Sequence, residues 1–273
     1  MTRTLVLGGG GVAGIAWEAG IITGLRRAGI ELGEADLVVG TSAGSVVGTL
    51  VATEVDLESS VGAQAETEAA TGFAVDAEAV MAAFGVLHDP SLEPQEARRR
   101  VGEMALAVKD TGARIETIGS RLPVKEWPER RLLITAVDAG TGEFVVWERG
   151  SGVPLVSAVA SSCAVPCVFP PVEIGGRRYM DGGVRSVTNA DLAAGSSAVV
   201  LLEPLAHVSP RTRLEAELAE LGDATIAHVV PDEASIAVFG DNVLDPALWR
   251  PAFKAGLAQA PVVAESVARA WKD

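Results

Sequence analysis

Two strand–turn–helix units fill the first fifty residues and constrain this chain more than any other feature. Residues 2–7 (TRTLVL) form a short apolar run, the glycines 8–11 follow, and residues 13–28 (AGIAWEAGIITGLRRA) take a helical period with Ile15, Ala19, Ile22 and Arg26 marking successive turns. Residues 37–39 (LVV), a tight turn and residues 43–53 (AGSVVGTLVAT) repeat the pattern. A strand that feeds a helix before the next strand arrives beside its neighbour in parallel, and the helices cover the faces of the sheet. Such a sheet is buried on both sides, and a chain of 273 residues with 48% hydrophobic content can bury it. The expected class is α/β with a mostly parallel central sheet.

From about Glu54 to Arg121 the composition turns rich in Ala and Glu with helical spacing and no strand signal, which predicts a helical insertion or cap beside the sheet. Its apolar positions Val80, Met81, Phe84 and Leu87 are candidates for lining an acyl channel. Residues 132–137 (LLITAV) and 144–147 (FVVW) read as strands joined by the turn DAGTGE. Residues 154–160 read as helix, and residues 172–174 and 177–180 flank Gly175-Gly176 as a two-residue hairpin. Residues 198–202 and 226–230 are late core strands. Between them residues 211–221 form an amphipathic helix with Leu214, Leu218 and Leu221 inward and Glu215, Glu217 and Glu220 outward. No repeat or linker divides the chain, so residues 1–273 are expected to form one domain.

The second tight turn carries chemistry. Gly40-Thr41-Ser42-Ala43-Gly44 is G-x-S-x-G between a strand and a helix, the setting in which glycines permit a sharp turn and the serine stands out at the helix N-terminus as a nucleophile. The first turn has two readings. Gly9 to Gly14 fits G-x-G-x-x-G, a dinucleotide loop of a Rossmann-type oxidoreductase. That reading needs an acid at the end of the second strand, where Val39-Gly40-Thr41-Ser42 stands; Glu31, Glu34 and Asp36 all precede it. In the other reading the backbone amides of Gly9, Gly10, Gly11 and Val12 form an oxyanion hole for acyl transfer by Ser42. This second reading links the two motifs, which the first leaves unrelated.

A serine nucleophile needs a proton acceptor. The candidates are the three histidines, His88, His207 and His228, and Asp181 in RRYMDGGVRS, where two glycines leave the carboxylate room to face a neighbouring loop. His228 falls in an apolar strand and reads as a core residue, while His207, after a late strand, is the best placed for a Ser–His–Asp triad. The formal net charge of −14, with no cluster of Lys and Arg beyond RRR at 98–100, excludes a nucleic-acid partner and leaves membrane contact apolar and transient. No stretch suits a signal peptide or a membrane span, so a cytoplasmic location is expected. Cys163 and Cys167 are read as buried structural thiols, and no group of residues has the spacing of a metal site.

The order of glycine loop, G-x-S-x-G and D-G-G resembles the patatin-like phospholipase family. The resemblance runs through LVLGGGGVAG, GTSAG and ASSCAVPCVFPPVEIGGRRYMDGGV, with Ala160-Ser161, Ala164, Pro166, Phe169 and Pro170 like the approach to the family's Asp. It implies a three-layer α/β/α fold and a Ser42–Asp181 dyad with no histidine. It also implies hydrolysis of lipid or fatty-acyl esters without metal or cofactor, with Gly14, Gly182 and Gly183 as motif glycines. A non-catalytic lipid-binding relative is the other outcome. Two positions depart from the pattern. Ala13 stands where the family often has Arg or Lys before the last loop glycine, and Asn189-Ala190-Asp191 lacks the usual proline two residues after Asn. Both bear on substrate class.

Overall fold

The computed structural model describes residues 2–68, 76–110 and 113–272. The two initial units are β1 (Arg3–Leu7) with α1 (Gly11–Arg27) and β2 (Leu37–Gly40) with α2 (Ala43–Ala52). The insertion holds α3 (Leu57–Glu68), α4 (Ala77–Leu87), α5 (Pro94–Leu106) and α6 (Arg114–Arg121), with no strand among its described residues. Then come β3 (Arg131–Asp138), β4 (Phe144–Trp147), α7 (Leu155–Ser162), the hairpin β5 (Val172–Ile174) and β6 (Arg177–Asp181), and β7 (Ala198–Leu202). The chain finishes with α8 (Arg211–Ala219), β8 (Thr225–Val229), α9 (Glu233–Phe239) and α10 (Trp249–Lys272).

The strands form one sheet in the order β5-β6-β3-β2-β1-β7-β8, with β4 paired to β3. The five strands from β3 to β8 are mutually parallel; β3 meets β4 and β6 antiparallel, as β5 meets β6. Alternation along the strands builds the two faces. Leu5, Leu7, Val38, Val200 and Leu202 point to the side covered by α1, α2, α7 and α10, while Val6, Val39, Val199 and Leu201 meet Leu214, Leu218 and Leu221 around α8. The expected three layers are present.

Four expectations change on contact with the tertiary structure. Helix α1 does not bury one stripe: every residue from Val12 to Leu25 is buried, because α10 packs along the side that the sheet and α2 leave open. Glu217 is turned inward, where its Oε2 accepts from Thr188 Oγ1 at 2.8 Å and the Ala190 amide at 3.0 Å while its Oε1 accepts from Arg213 Nε at 2.9 Å. His228 lies on β8, the edge strand, and is not a core residue; its Nε2 meets Glu203 Oε2 at 2.8 Å and part of the ring faces solvent. Of the two thiols, Cys163 is buried and Cys167 only partly so.

The α1–α10 contact depends on absent side chains. A Cβ on Gly20 would collide with the Phe253 carbonyl, one on Gly256 with the Trp17 carbonyl, and one on Gly24 with Ala260 Cβ. The close approach is fixed in register by Trp17 Nε1 donating to Gln259 Oε1 at 3.0 Å. Gly256→Ala is therefore expected to lose about 1–3 kcal/mol in denaturant unfolding from forced separation of the helices. Gly62→Ala on α3, where nothing lies within 4 Å of the new methyl, should gain roughly 0.5–1 kcal/mol from helix propensity.

Glu18 is the exception within α1. It is fully buried, neither carboxylate oxygen finds a hydrogen-bond partner, and burial pushes its pKa well above the ordinary value, opposed only by the Gly8 amide. The folded state thus holds a proton that the unfolded chain releases above its ordinary value near 4.5, so this residue's contribution to stability is lost as pH rises. Glu18→Gln should raise Tm more at pH 8 than at pH 5, with the gap widening by about 2 °C or more. A gap that does not change with pH would show the carboxyl to be ionised.

Candidate functional site

The carboxyl ends of β1 and β2 lie side by side, with Leu7 opposite Gly40, so the glycine loop and the G-x-S-x-G turn leave the sheet together. Ser42 follows at φ 51°, ψ −114°, a left-handed region that a non-glycine residue keeps only under constraint. The constraint is visible on both sides of the residue. Its N–H donates to Ser162 Oγ at 2.9 Å, and its carbonyl accepts from Ser45 Oγ at 2.7 Å and from Cys163 Sγ at 3.3 Å. The flanking glycines answer to sterics: a Cβ on Gly44 would collide with the Leu7 carbonyl, and one on Gly40 would press on the backbone of Gly44 and Ser45.

The glycine loop is divided in its use of amides. Gly8 N–H donates to the Leu202 carbonyl at 3.0 Å and Gly9 N–H to the Val187 carbonyl at 2.7 Å, so the Gly9 amide, expected among the oxyanion donors, is spent on holding the loop to the sheet. Ala13 N–H donates to the Val243 carbonyl at 3.0 Å and Gly14 N–H to the Gly10 carbonyl at 2.8 Å. Between them the amides of Gly10, Gly11 and Val12 have no backbone acceptor among the described residues, as befits the first turn of a helix. The loop's outer side is covered by protein: Pro204 fills the space beside Gly10, and Val243 and Leu244 fill that beside Gly11, which sits at φ +61°. The glycines are thus demanded by packing, with no need of a dinucleotide pyrophosphate to explain them. Gly14 is likewise pressed between Ala43 and Pro204.

Asp181 ends β6, one residue beyond the predicted strand, and pairs with Ala136 of β3. Its side chain is buried, with a residue exposure of 5%; Oδ1 accepts the Gly183 amide at 2.7 Å, and Oδ2 is buried without a hydrogen-bond partner. Burial raises its pKa to about 6, against the opposing influence of the Ser42 hydroxyl, the Gly183 amide and the Arg114 guanidinium. Ser42 and Asp181 are therefore polar neighbours without a fully formed hydrogen bond to Oδ2. The turn after Asp181 is locked from below. A Cβ on Gly182 would strike Thr135, and Asn189 Nδ2 lies within reach of Thr41 Oγ1 at 3.0 Å, the Ser186 carbonyl at 2.7 Å and the Gly182 carbonyl at 3.4 Å. Asn189 is thus the buried tie between the Asp181 turn and the Ser42 turn, a role its departure from the family spacing did not announce.

A cavity of about 590 Å³ opens over Ser42, lined by Gly11, Val12, Ile15, Cys163, Phe169 and Leu244 on the core side and by residues of α3 and α6 on the other. None of the expected acyl-channel residues of α4 lines it. Met81 is 66% and Phe84 43% exposed, and α4 packs on α5. Among the described residues, the part of the insertion that reaches the cavity is Thr67, Glu68, Ala113 and the helix Arg114–Arg121. Residues 69–75 and 111–112 of the insertion lie outside the described residues. His207 and His228 line a different cavity, of about 510 Å³, and His88 Nδ1 is bonded to the Phe84 carbonyl at 2.8 Å. Among the described residues, no group of three His, Cys, Asp or Glu could hold a metal, and no helix is long and apolar enough to cross a membrane.

The sequence of residues 5–194 matches the family Patatin-like phospholipase, and the chain belongs to that family of lipid acyl hydrolases. Among solved structures it is similar to VipD from Legionella pneumophila, at 14% identity and a TM-score of 0.49, over 97% of this chain and 66% of that one. It is similar also to the type III effector protein ExoU, at 13% identity and a TM-score of 0.36, over 96% of this chain and 53% of that one. The chain spans less than two thirds of the length of either.

Proposed function

We propose that residues 1–273 act as one lipid acyl-ester hydrolase domain, of phospholipase A or lysophospholipase type, with Ser42 as nucleophile and Asp181 as its base. One observation carries the reading: Ser42, at positive φ, shares a cavity with Gly11 and Val12, whose amides have no backbone acceptor, and has beside it the buried Asp181 carboxyl with its unpartnered oxygen.

In this mechanism Asp181 accepts the Ser42 proton as Oγ attacks the ester carbonyl. The Gly10, Gly11 and Val12 amides receive the developing oxyanion, a charge that three fixed donors at a helix N-terminus stabilise without reorganisation. As the intermediate collapses, the Asp181 carboxylic acid returns its proton to the leaving alcohol, and the acyl chain stays on Ser42. Water, deprotonated by Asp181, then releases the fatty acid. Loose geometry between base and nucleophile before substrate binds is usual for such sites, because the hydrogen bond tightens in the complex. The dinucleotide reading loses its support where Pro204, Val243 and Leu244 cover the loop.

Peptide mapping after treatment with a fluorophosphonate probe should find the label on Ser42; label elsewhere, or none on folded protein, overturns the proposal and favours a non-catalytic lipid-binding relative. Ser42→Ala and Asp181→Asn should each lower kcat by about a thousandfold or more, and the double variant should be scarcely worse, since residues acting as one unit are not additive.

The raised pKa sets a pH dependence. Asp181 must be ionised to accept the proton, so kcat/KM should fall as pH drops through about 6, with a slope of one proton. A profile flat from pH 7 down to pH 4.5 would remove Asp181 from the base role.

A further inference from the structure

Among the described residues, two arginines line the cavity over Ser42, and neither contacts the reacting atoms in the mechanism above. Arg114, the first residue of α6, lines it beside Cys163 and Phe169. Its guanidinium lies over the Phe169 ring at 3.6 Å from the centroid, and one terminal nitrogen donates to the Cys163 carbonyl at 2.5 Å. Its Nε is buried without a hydrogen bond, and among the described residues Arg114 forms no ion pair. The other arginine of α6 at the cavity, Arg121, contrasts with it, being held through two nitrogens by Glu68 at 2.9 Å each. Burial lowers the Arg114 pKa to about 10, which leaves it charged at neutral pH.

A partly buried charge that lines a cavity and has no ion pair is relieved by an anion that enters the site. The glycine loop cannot supply this cation itself. Ala13, where the family often places one, is fully buried in the core with its amide tied to Val243. The walls of the cavity also divide by chemistry. The core contributes Val12, Ile15, Phe169 and Leu244, whereas the insertion contributes Thr67, Glu68, Glu116, Thr117, Ser120 and Arg121 around Arg114. An acyl chain fits the first wall and a charged alcohol the second.

We propose that Arg114 is the specificity-determining residue of this site: it binds a phosphate carried on the alcohol side of the scissile ester, so the enzyme selects anionic acyl esters over neutral ones of the same chain length. The inference rests on the hydrolase reading above. Arg114 acts on substrate affinity through a charge-assisted contact, while Phe169 holds the guanidinium plane and the Cys163 carbonyl fixes one edge.

The test compares 1-dodecanoylglycerol 3-phosphate with 1-dodecanoylglycerol, below their critical micelle concentrations. The unmodified enzyme should favour the phosphate in kcat/KM, and Arg114→Met should cut the preference about 10–100-fold, the range for hydrogen bonds to a charged group, with most of the change in KM. Arg114→Lys, which keeps the charge but not the fork, should retain part of the preference. A neutral preference in the unmodified enzyme, or equal losses on both substrates in folded Arg114→Met, overturns the assignment. Binding of dodecyl phosphate to Ser42→Ala protein, measured by calorimetry, needs no turnover: affinity should fall at least tenfold when Arg114→Met is added, and no fall overturns the proposal. Inorganic phosphate alone in the same titration should bind at least a hundredfold more weakly; equal binding would make this a free-phosphate site and not a head-group site. A protein that shows the Arg114-dependent binding yet takes no fluorophosphonate label would retain this anion site while losing the hydrolase reading.

Discussion

The site depends on how closely helix α2 presses its first turn against the end of β1. Gly44 lies so near the Leu7 carbonyl that any side chain there would drive the helix away from the strand. From that approach follow the Thr41 and Gly44 amide bonds to the carbonyls of Leu7 and Gly8, at 3.0 and 2.9 Å, which lock the Ser42 turn onto the glycine loop. Ser42 and the candidate oxyanion donors are thus set relative to each other by backbone alone. Side chains enter only to hold Ser42 in its left-handed conformation, through Ser162, Ser45 and Cys163. A packing constraint of this kind is rigid, and rigidity is what a transition state rewards.

Much of the sheet and the site was legible because the governing signals are local. A strand, a glycine turn and a helix within seventeen residues of one another leave little choice of topology, and the Gly175-Gly176 hairpin delivers Asp181 to the end of a strand whatever surrounds it. What the sequence hid was set by tertiary contact. Helix α10 runs unbroken through Pro261, a residue that in the sequence argues against a helix, and it covers the side of α1 that the sheet leaves open. Glu217 reads as solvent-facing by period, yet Thr188, Ala190 and Arg213 give it partners inside. His228 reads as core because its neighbours are apolar, and only the strand order reveals an edge. Of the α4 residues expected at an acyl channel, Met81 and Phe84 are exposed, while Leu87 joins Ala83 and Val86 in the cluster with Val101 and Ala105 of α5, and nothing local says which helix of an insertion meets the candidate site. The Gly9 amide could not be assigned without the Val187 carbonyl in place.

The proposed mechanism runs without histidine, and the surroundings of Asp181 bear on it directly. Removing Asp181 from water raises its basicity, while the Gly183 amide, the Ser42 hydroxyl and Arg114 restrain the rise. The balance leaves a carboxylate that is ionised at neutral pH but a better proton acceptor than one in water. Glu18, beneath the same loop, shows the other limit: with only the Gly8 amide to oppose it, burial drives its pKa well above the ordinary carboxyl range. Burial thus raises both acids, and the polar neighbours of each decide how far.

The glycine loop is fastened from the far end of the chain. Val243 accepts the Ala13 amide, Gln259 takes the Trp17 indole, and Trp271 Nε1 donates to the Glu31 carbonyl at 3.0 Å. Within this chain β1 and α1 precede the α10 that covers them by more than two hundred residues, so the contacts that close the loop are of long range. Such long-range closure slows folding. Until α10 docks, the apolar α1 stands exposed, a natural client for holdase chaperones, and the glycine loop takes its shape only with that docking. The proposed acyl-transfer chemistry is in this way withheld from partly folded copies of the chain.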